Sequence, residues 1–383
     1  MTPLENTVEN TVRAYAKELG FNLVGITSAE PFLRDEQAAL KRVQDGMMDG
    51  LRWYTEERVR RANRPQVLLE EAQSVISLAI SYNTGAPPSG DKLSGKIARY
   101  AWGDDYHDVI KKRLRQFCDG LEERLGRPIR TRIFVDDGPM NDRAAAERAG
   151  LGWFGKNTNI LTPSHGSWVF LAQVITDLEM TPDEPLKKTC GSCVLCIDAC
   201  PTGAIVAPYV LDNRKCISFL TIELRGPIPK DMRPLIGDWV FGCDICQDVC
   251  PVNRKAAVGL EPAFQKRHDF SAPDLIPLLE LDDEGFRERF RNSPVKRAKR
   301  AGLQRNVCVA LGNIGDPAAV PALSKALESD SDLVRGHAAW ALGRIGGNEA
   351  ENALQSALEK PQEEEVMVEL QDALNQLEAV AKS

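Results

Sequence analysis

The chain has 383 residues, of which 43% are hydrophobic, 27% charged and 6% aromatic, with a formal net charge of −7. That balance fits a globular chain of two or three folded units and excludes collagen-like, disordered and coiled-coil classes. With no run of about 18 apolar residues, no signal-peptide start and no basic excess, a cytoplasmic protein without a membrane span or a nonspecific nucleic-acid coat is expected.

Residues 6–19 place Val8, Val12, Tyr15, Ala16 and Leu19 on one helical face, and FNLVGIT (21–27) reads as a buried strand. A second strand is expected over SVISLAISY (74–82), closed by the loop NTGAPPSGD (83–91). A helix carrying Val109, Ile110, Leu114, Phe117 and Leu121 follows, then the strand TRIFVDD (131–137). DRAAAERAGLGWFG (142–155) begins as an alanine-rich helix and stops at glycine, and GSWVFLAQVIT (166–176) reads as another strand. Helices alternating with strands indicate an α/β domain over residues 1–178 within an α+β chain.

A cysteine-rich segment occupies 179–260, and a helical, charge-mixed connector occupies 261–296. The remainder, 297–383, repeats itself: Ala310-Leu311-Gly312 and Ala341-Leu342-Gly343 stand 31 residues apart within similar stretches. Each unit reads helix, tight glycine turn, helix, which resembles a HEAT-like α-solenoid. So few units cannot bury a core alone and must dock on other parts of the chain.

Ten cysteines are present, eight of them between Cys190 and Cys250. In a reducing compartment such clustering points to metal or redox ligands rather than structural disulfides. Cys190, Cys193, Cys196 and Cys200, followed by Pro201, spell C-x2-C-x2-C-x3-C-P, the bacterial ferredoxin run, in which three thiolates hold one cubane and the fourth crosses to a second. The partner run, Cys243, Cys246, Cys250 and Pro251, lacks its opening cysteine, and Cys216 can supply that thiolate. The accounting assigns Cys190, Cys193, Cys196 and Cys250 to one 4Fe-4S cluster, and Cys200, Cys216, Cys243 and Cys246 to the other. Zinc also accepts C-x2-C pairs, although tetrahedral zinc sites rarely use this longer run. Cys118 and Cys308 lie in expected helices among apolar neighbours and read as buried structural thiols.

The N-terminal domain shows neither a G-x-G-x-x-G turn after a strand nor a Walker A loop, so nucleotide sites are unsupported. Asp105-Tyr106-His107 could open the D-x-H-x-x-G pattern of some corrinoid enzymes, but Ile110 fills its glycine position, and His107 reads as a satisfied helix histidine. Asp136 and Asp137 end a strand at VDDGP. A carboxyl there can serve as a general acid, while a turn or capping role suits Asp137 before Gly138-Pro139.

Taken together, RYAWGDDYHDVIKKRL (99–114), VDDGPMNDRAAAERAGLGWFGKNTNI (135–160), CGSCVLCIDACPTGAIV with CISFLTIE (190–223) and FGCDICQDVCPVN (241–253) resemble the epoxyqueuosine reductases, the cobalamin-dependent iron–sulfur enzymes that make queuosine in tRNA. The resemblance covers nearly the whole chain, HEAT-like tail included. It implies base-off cobalamin held between the α/β domain and a ferredoxin-like insert. It also implies Asp136 as proton donor, and a corrinoid pocket of Arg99, Asp136, Asn157, Ile160, Ser218 and Gly242. Arg61 is carried over from RRANRP, which has one residue more than the family pattern, and Phe241 stands where the family pattern has tyrosine.

The implied reaction reduces epoxyqueuosine at the wobble position of a tRNA with a GUN anticodon, using electrons from a low-potential, flavodoxin- or ferredoxin-like donor. Such RNA binding needs local positive charge. Arg225 in RGPIP, together with Lys296, Arg297, Lys299, Arg300 and Arg305, are the candidates, each also readable as part of a solvated face. A monomer is expected. A corrinoid reductive dehalogenase shares the cofactor layout but would carry an export signal and no HEAT-like tail. A ferredoxin-type electron carrier would leave the N-terminal domain without a task.

Overall fold

β1 (Leu23–Ser28), β2 (Ser74–Ser81), β3 (Thr131–Phe134) and β4 (Val169–Thr176) build a four-stranded sheet in the order β1-β2-β4-β3, with every pairing antiparallel. The computed structural model describes residues 7–85, 90–267 and 269–381. Residue 6 of the expected first helix and residues 86–89 of the expected loop after β2 therefore lie outside the described residues. β2 is central, and all eight of its residues are buried. That is why its sequence, SVISLAIS, is apolar or small throughout and carries no charge, rather than alternating with exposed polar residues. Its register sets Ile76 opposite Ile26 on one side and Val174 on the other.

Three helices bear on this sheet. Helix α1 (Val8–Glu18) is capped by Thr7, whose hydroxyl accepts from Asn10 N–H. Helix α2 (Tyr106–Leu125) is capped by Asp105 and ends at Gly126 with φ +64°. It buries Ile110, Leu114, Phe117 and Leu121, and Phe117 stacks on Tyr15 of α1 with ring centroids 5.7 Å apart. Helix α3 (Asp142–Arg148) buries Ala144, Ala145 and Ala146. The sequence placed β3 too long, because the strand ends at Phe134 and the chain then bends through Asp136 at φ +55°. It placed β4 too early, because Gly166 is bonded back to Thr162 in a turn and Ser167 is drawn into bonds with Asn253.

The chain divides into two compact units that do not follow sequence order. The first comprises Met1–Gly85, Gly103–Arg214 and Ile245–Gln265, and the second comprises Ala86–Trp102, Lys215–Asp244 and Lys266–Ser383. The second unit holds the repeats as helices α4 (Lys299–Ile314), α5 (Val320–Ala326), α6 (Asp332–Ile345), α7 (Asn348–Leu358) and α8 (Glu364–Ala381). The repeated Ala-Leu-Gly explains their packing. A Cβ on Gly312 would lie 2.9 Å from Ala341 Cα, and one on Gly343 would lie 2.8 Å from Ala373 Cα. Each glycine thus lets one repeat close onto the next. As expected, the repeats also dock on other chain: Asn306 donates to Thr221 O and Val240 O, both at 2.8 Å.

Candidate active site and cluster centre

Two features of the first unit carry chemistry. One is the strand end at Asp136. This residue is exposed and holds φ +55°, a conformation that costs a non-glycine residue of order 1 kcal/mol and persists only when the surroundings enforce it. The enforcement is visible. Tyr106, the first residue of α2, donates its hydroxyl to Asp136 Oδ2 at 2.8 Å. Its ring is 6% exposed and stacks on Phe170 of β4 at 4.2 Å with 6° between planes. His107 stacks on Tyr106, and its Nδ1 lies 2.7 Å from Asp105 Oδ1, a paired helix histidine as expected. Asp137 pairs with Lys111. Helix α3 is capped by Asn141, not by Asp137.

Sequence reasoning missed Asp142. Part of the residue reaches the surface, but its Oδ1 is sealed from solvent without a hydrogen-bond partner. Burial, with the Asp136 and Asp137 charges nearby, holds its carboxyl well above the usual carboxylate range.

The other feature is the cysteine quartet Cys190, Cys193, Cys196 and Cys250. Burial pushes the Cys196 thiol up, and the charges of Cys190, Cys250 and Cys193 add to it. Burial likewise raises Cys250, with Cys190 and Cys193 contributing. The four thiols therefore lie within electrostatic reach of one another. Among the described residues no three His, Cys, Asp or Glu side chains sit as the ligands of a single ion would. Of the other four cysteines, Cys200 and Cys246 belong to the first unit, and Cys216 and Cys243 to the second. Cys118 and Cys308 are buried apart from these runs, and burial pushes the Cys118 thiol up to about 11.

The cysteine loops are braced by side chains that spacing alone did not reveal. Lys156, 9% exposed, donates to Gly191 O at 2.8 Å. Its neighbour Asn157 donates to Cys246 O at 3.2 Å. Asn253 donates to Ser167 Oγ and accepts from Ser167 N–H at 2.8 and 2.7 Å. The GKN segment after α3 thus ties both cysteine runs to the sheet domain.

The remaining expected residues are placed as follows. In the first unit Arg61 is exposed in the last turn of helix Glu56–Ala62, and Ile160 is buried against Ala79, Ala146 and Leu151. In the second unit Arg99 N–H donates to Asp244 Oδ2 at 2.8 Å, and Ser218 is half-buried in helix Ile217–Ile222. Gly242 has φ +70°, donates to Thr221 Oγ1 at 2.9 Å, and has room only for hydrogen, since a Cβ would lie 2.6 Å from Ala98 Cβ. Phe241 is fully buried beside Tyr100, with centroids 6.0 Å apart.

The cationic residues of the second unit separate. Arg225 donates to Ala298 O at 3.4 Å, which brings the RGPIP loop to the segment bearing exposed Lys296, Arg297 and Lys299. Arg297 pairs with Glu223 at 2.8 Å. Arg300 is spent on Asp283 and Asp330 at 2.6 and 2.8 Å. Arg305 departs from expectation. It is 1% exposed, and its guanidinium donates to Leu220 O, Leu224 O and Gly226 O at 2.6–2.9 Å. A cation so buried has no face left for a phosphate.

Family models agree with this architecture. A 4Fe-4S double cluster binding domain matches residues 189–253, HEAT repeats match 296–375, and the model described as epoxyqueuosine reductase QueG, DUF1730 matches 61–137. These matches define the class, a protein with a double-cluster iron–sulfur domain and a HEAT-repeat tail. The chain is 37% identical over 376 residues to the epoxyqueuosine reductase of Bacillus anthracis, covering 97% of each. A crystal structure of an epoxyqueuosine reductase with an epoxyqueuosine-modified tRNA-Tyr stem loop superposes with a TM-score of 0.91 at 36% identity, covering 97% of this chain and 99% of that one. The Bacillus subtilis enzyme, solved with an aspartate catalytic loop swung out of its active site, gives 0.90 at 35% identity, covering 97% and 99%. The chain belongs to the epoxyqueuosine reductase family, an oxidoreductase family. No described helix is long and apolar enough to cross a membrane.

Proposed function

We propose that this chain reduces epoxyqueuosine to queuosine at the wobble position of tRNA, with Asp136 as the proton donor. The observation that carries the reading is one carboxylate held at a left-handed strand end, in the same unit as a quartet of interacting thiols. Loss of the epoxide oxygen breaks two C–O bonds, forms one C=C bond, consumes two electrons and two protons, and releases water. Asp136 would deliver a proton to the departing oxygen, with Tyr106 fixing which carboxylate oxygen is free to do so.

The residues fit the groups that the reaction needs. Seven thiols in two C-P-terminated runs, with Cys216 between them, suit two 4Fe-4S clusters, assigned as Cys190, Cys193, Cys196, Cys250 and as Cys200, Cys216, Cys243, Cys246. A corrin carries amide arms, and Arg61, Arg99, Asn157 and Ser218 are donors of the kind that meet amides. Ile160 would supply an apolar wall and Gly242 a close backbone approach. Base-off cobalamin, when bound, supplies a strongly reducing cobalt centre. Electrons come from a low-potential donor protein of the flavodoxin or ferredoxin kind, and a monomer suffices.

The base must leave the anticodon stack to be reached, as in other base-modifying enzymes. Arg225, Lys296, Arg297 and Lys299 would hold the phosphates of a tRNA with a GUN anticodon, whereas Arg300 and Arg305 are committed within the protein. Incubating the reconstituted protein, cobalamin and a low-potential reductant with epoxyqueuosine-containing tRNA tests the reading. Nucleosides weighed after digestion should lose one oxygen mass only when cobalamin is present. Unchanged nucleosides, with clusters and cobalamin verified, contradict it.

A further inference from the structure

We propose that the exposed apolar face beside the Cys190–Cys193–Cys196–Cys250 quartet is where an acidic, one-electron carrier protein docks. This rests on the reading above, which requires two electrons per turnover from outside. Val194 and Leu195, lying between two ligand cysteines, are 39% and 44% exposed. Helix Leu195–Asp198 packs on strand Ile205–Ala207, where Val206 is 45% exposed. Tyr209, on the same hairpin, is 37% exposed at φ +67°, with its phenol against the Cys190 backbone. Single exposed apolar side chains need no explanation, but four around one group of redox thiols do.

Charge indicates the kind of partner. Within residues 187–200 and 245–255, the exposed cations Lys187, Lys188, Arg254 and Lys255 outnumber the acids Asp198 and Asp248 by four to two, in a chain whose net charge is −7. Arg42 adds a further cation, donating to Tyr209 O at 2.5 Å. A small apolar contact inside a basic rim suits a transient encounter that is steered by charge and released after one electron. Each carrier would be oxidised by one electron as the cluster is reduced by one, so two carriers serve each alkene formed. The other four cysteines lie in sequence beside the expected corrinoid positions, Cys216 two residues before Ser218 and Cys243 next to Gly242. The Cys190 quartet is therefore the entry point.

The test uses the reconstituted holoprotein and a reduced flavodoxin as probe, mixed anaerobically, with bleaching of cluster absorbance as readout and dithionite-reduced methyl viologen as the small-molecule control. The double variant Lys187→Glu/Lys188→Glu should slow bleaching by flavodoxin about tenfold or more and flatten its salt dependence. Val206→Ser, which removes apolar surface without adding charge, should slow it without changing the salt dependence. Both should match wild type with viologen and in tRNA affinity. Wild-type rates with flavodoxin, equal slowing with both reductants, or lost tRNA affinity would overturn the docking assignment. Failure of the parent reading shows separately, as no oxygen loss from tRNA by wild-type protein driven by viologen.

Discussion

Tyr106 and Asp136 are joined by a 2.8 Å hydrogen bond that ties the start of α2 to the residue just past β3. The phenol donates to one carboxylate oxygen and leaves the other free, on a backbone that a non-glycine residue adopts only under constraint. Stacking on Phe170 removes the freedom of the ring that carries the donor. Tyr106→Phe keeps the stack and deletes this bond. Its kcat is expected to fall about tenfold or more, with KM and thermal stability close to wild type. Steady-state rates with modified tRNA check this.

Arg305→Met should act on stability rather than on RNA binding. It leaves the carbonyls of Leu220, Leu224 and Gly226 without their buried donor, at a cost of about 3 kcal/mol or more. Urea unfolding should show a lowered midpoint.

Lys296→Ala and Lys299→Ala should do the opposite. Both side chains are exposed, so stability should change by less than about 0.5 kcal/mol. If each contacts one phosphate, tRNA affinity falls and the salt slope drops by about one per lysine. Titrations at several salt concentrations give the slope.

Asp142 predicts a pH dependence of stability. Its folded carboxyl titrates above the unfolded value of about 3.9, so the folded form binds the proton more tightly. That contribution is complete below about pH 3.9 and is lost as pH rises through the folded value. Asp142→Asn should therefore be more stable than wild type at neutral pH, with the gap closing towards pH 4. Unfolding midpoints across that range report it.

His337 has the reverse sign. Burial, then the charges of Arg233 and Arg305, holds its imidazole well below the usual range. It stays neutral, accepting from Ile228 N–H at 3.2 Å and sitting 2.7 Å from Leu333 O. Its contribution is present above the unfolded value of about 6.5 and is lost as pH falls below it. His337→Asn should flatten the acid limb of the stability profile.

Much of this was legible in the sequence, for identifiable reasons. Strands such as β2 and the Ala-Leu-Gly repeat announce themselves because burial and helix packing act at fixed local periods. The cysteine runs are legible because short loops must aim several sulfurs at one inorganic core. Lys156, Asn157 and Asn253 were not legible as braces, since their partners Gly191, Cys246 and Ser167 are distant in sequence. Arg305 was misread because a basic run does not show which cations the fold buries. Asp142 escaped notice because its perturbation comes from enclosure and from two neighbouring carboxylates, neither of which a helix-start aspartate advertises.

The most direct test of the central claim compares wild type with Asp136→Ala in the nucleoside mass assay, both loaded with clusters and cobalamin. Asp136→Ala should bind cobalamin normally and lose oxygen from epoxyqueuosine about 10²–10⁴-fold more slowly. Wild-type rates of oxygen loss in that variant would contradict the assignment of Asp136 as proton donor.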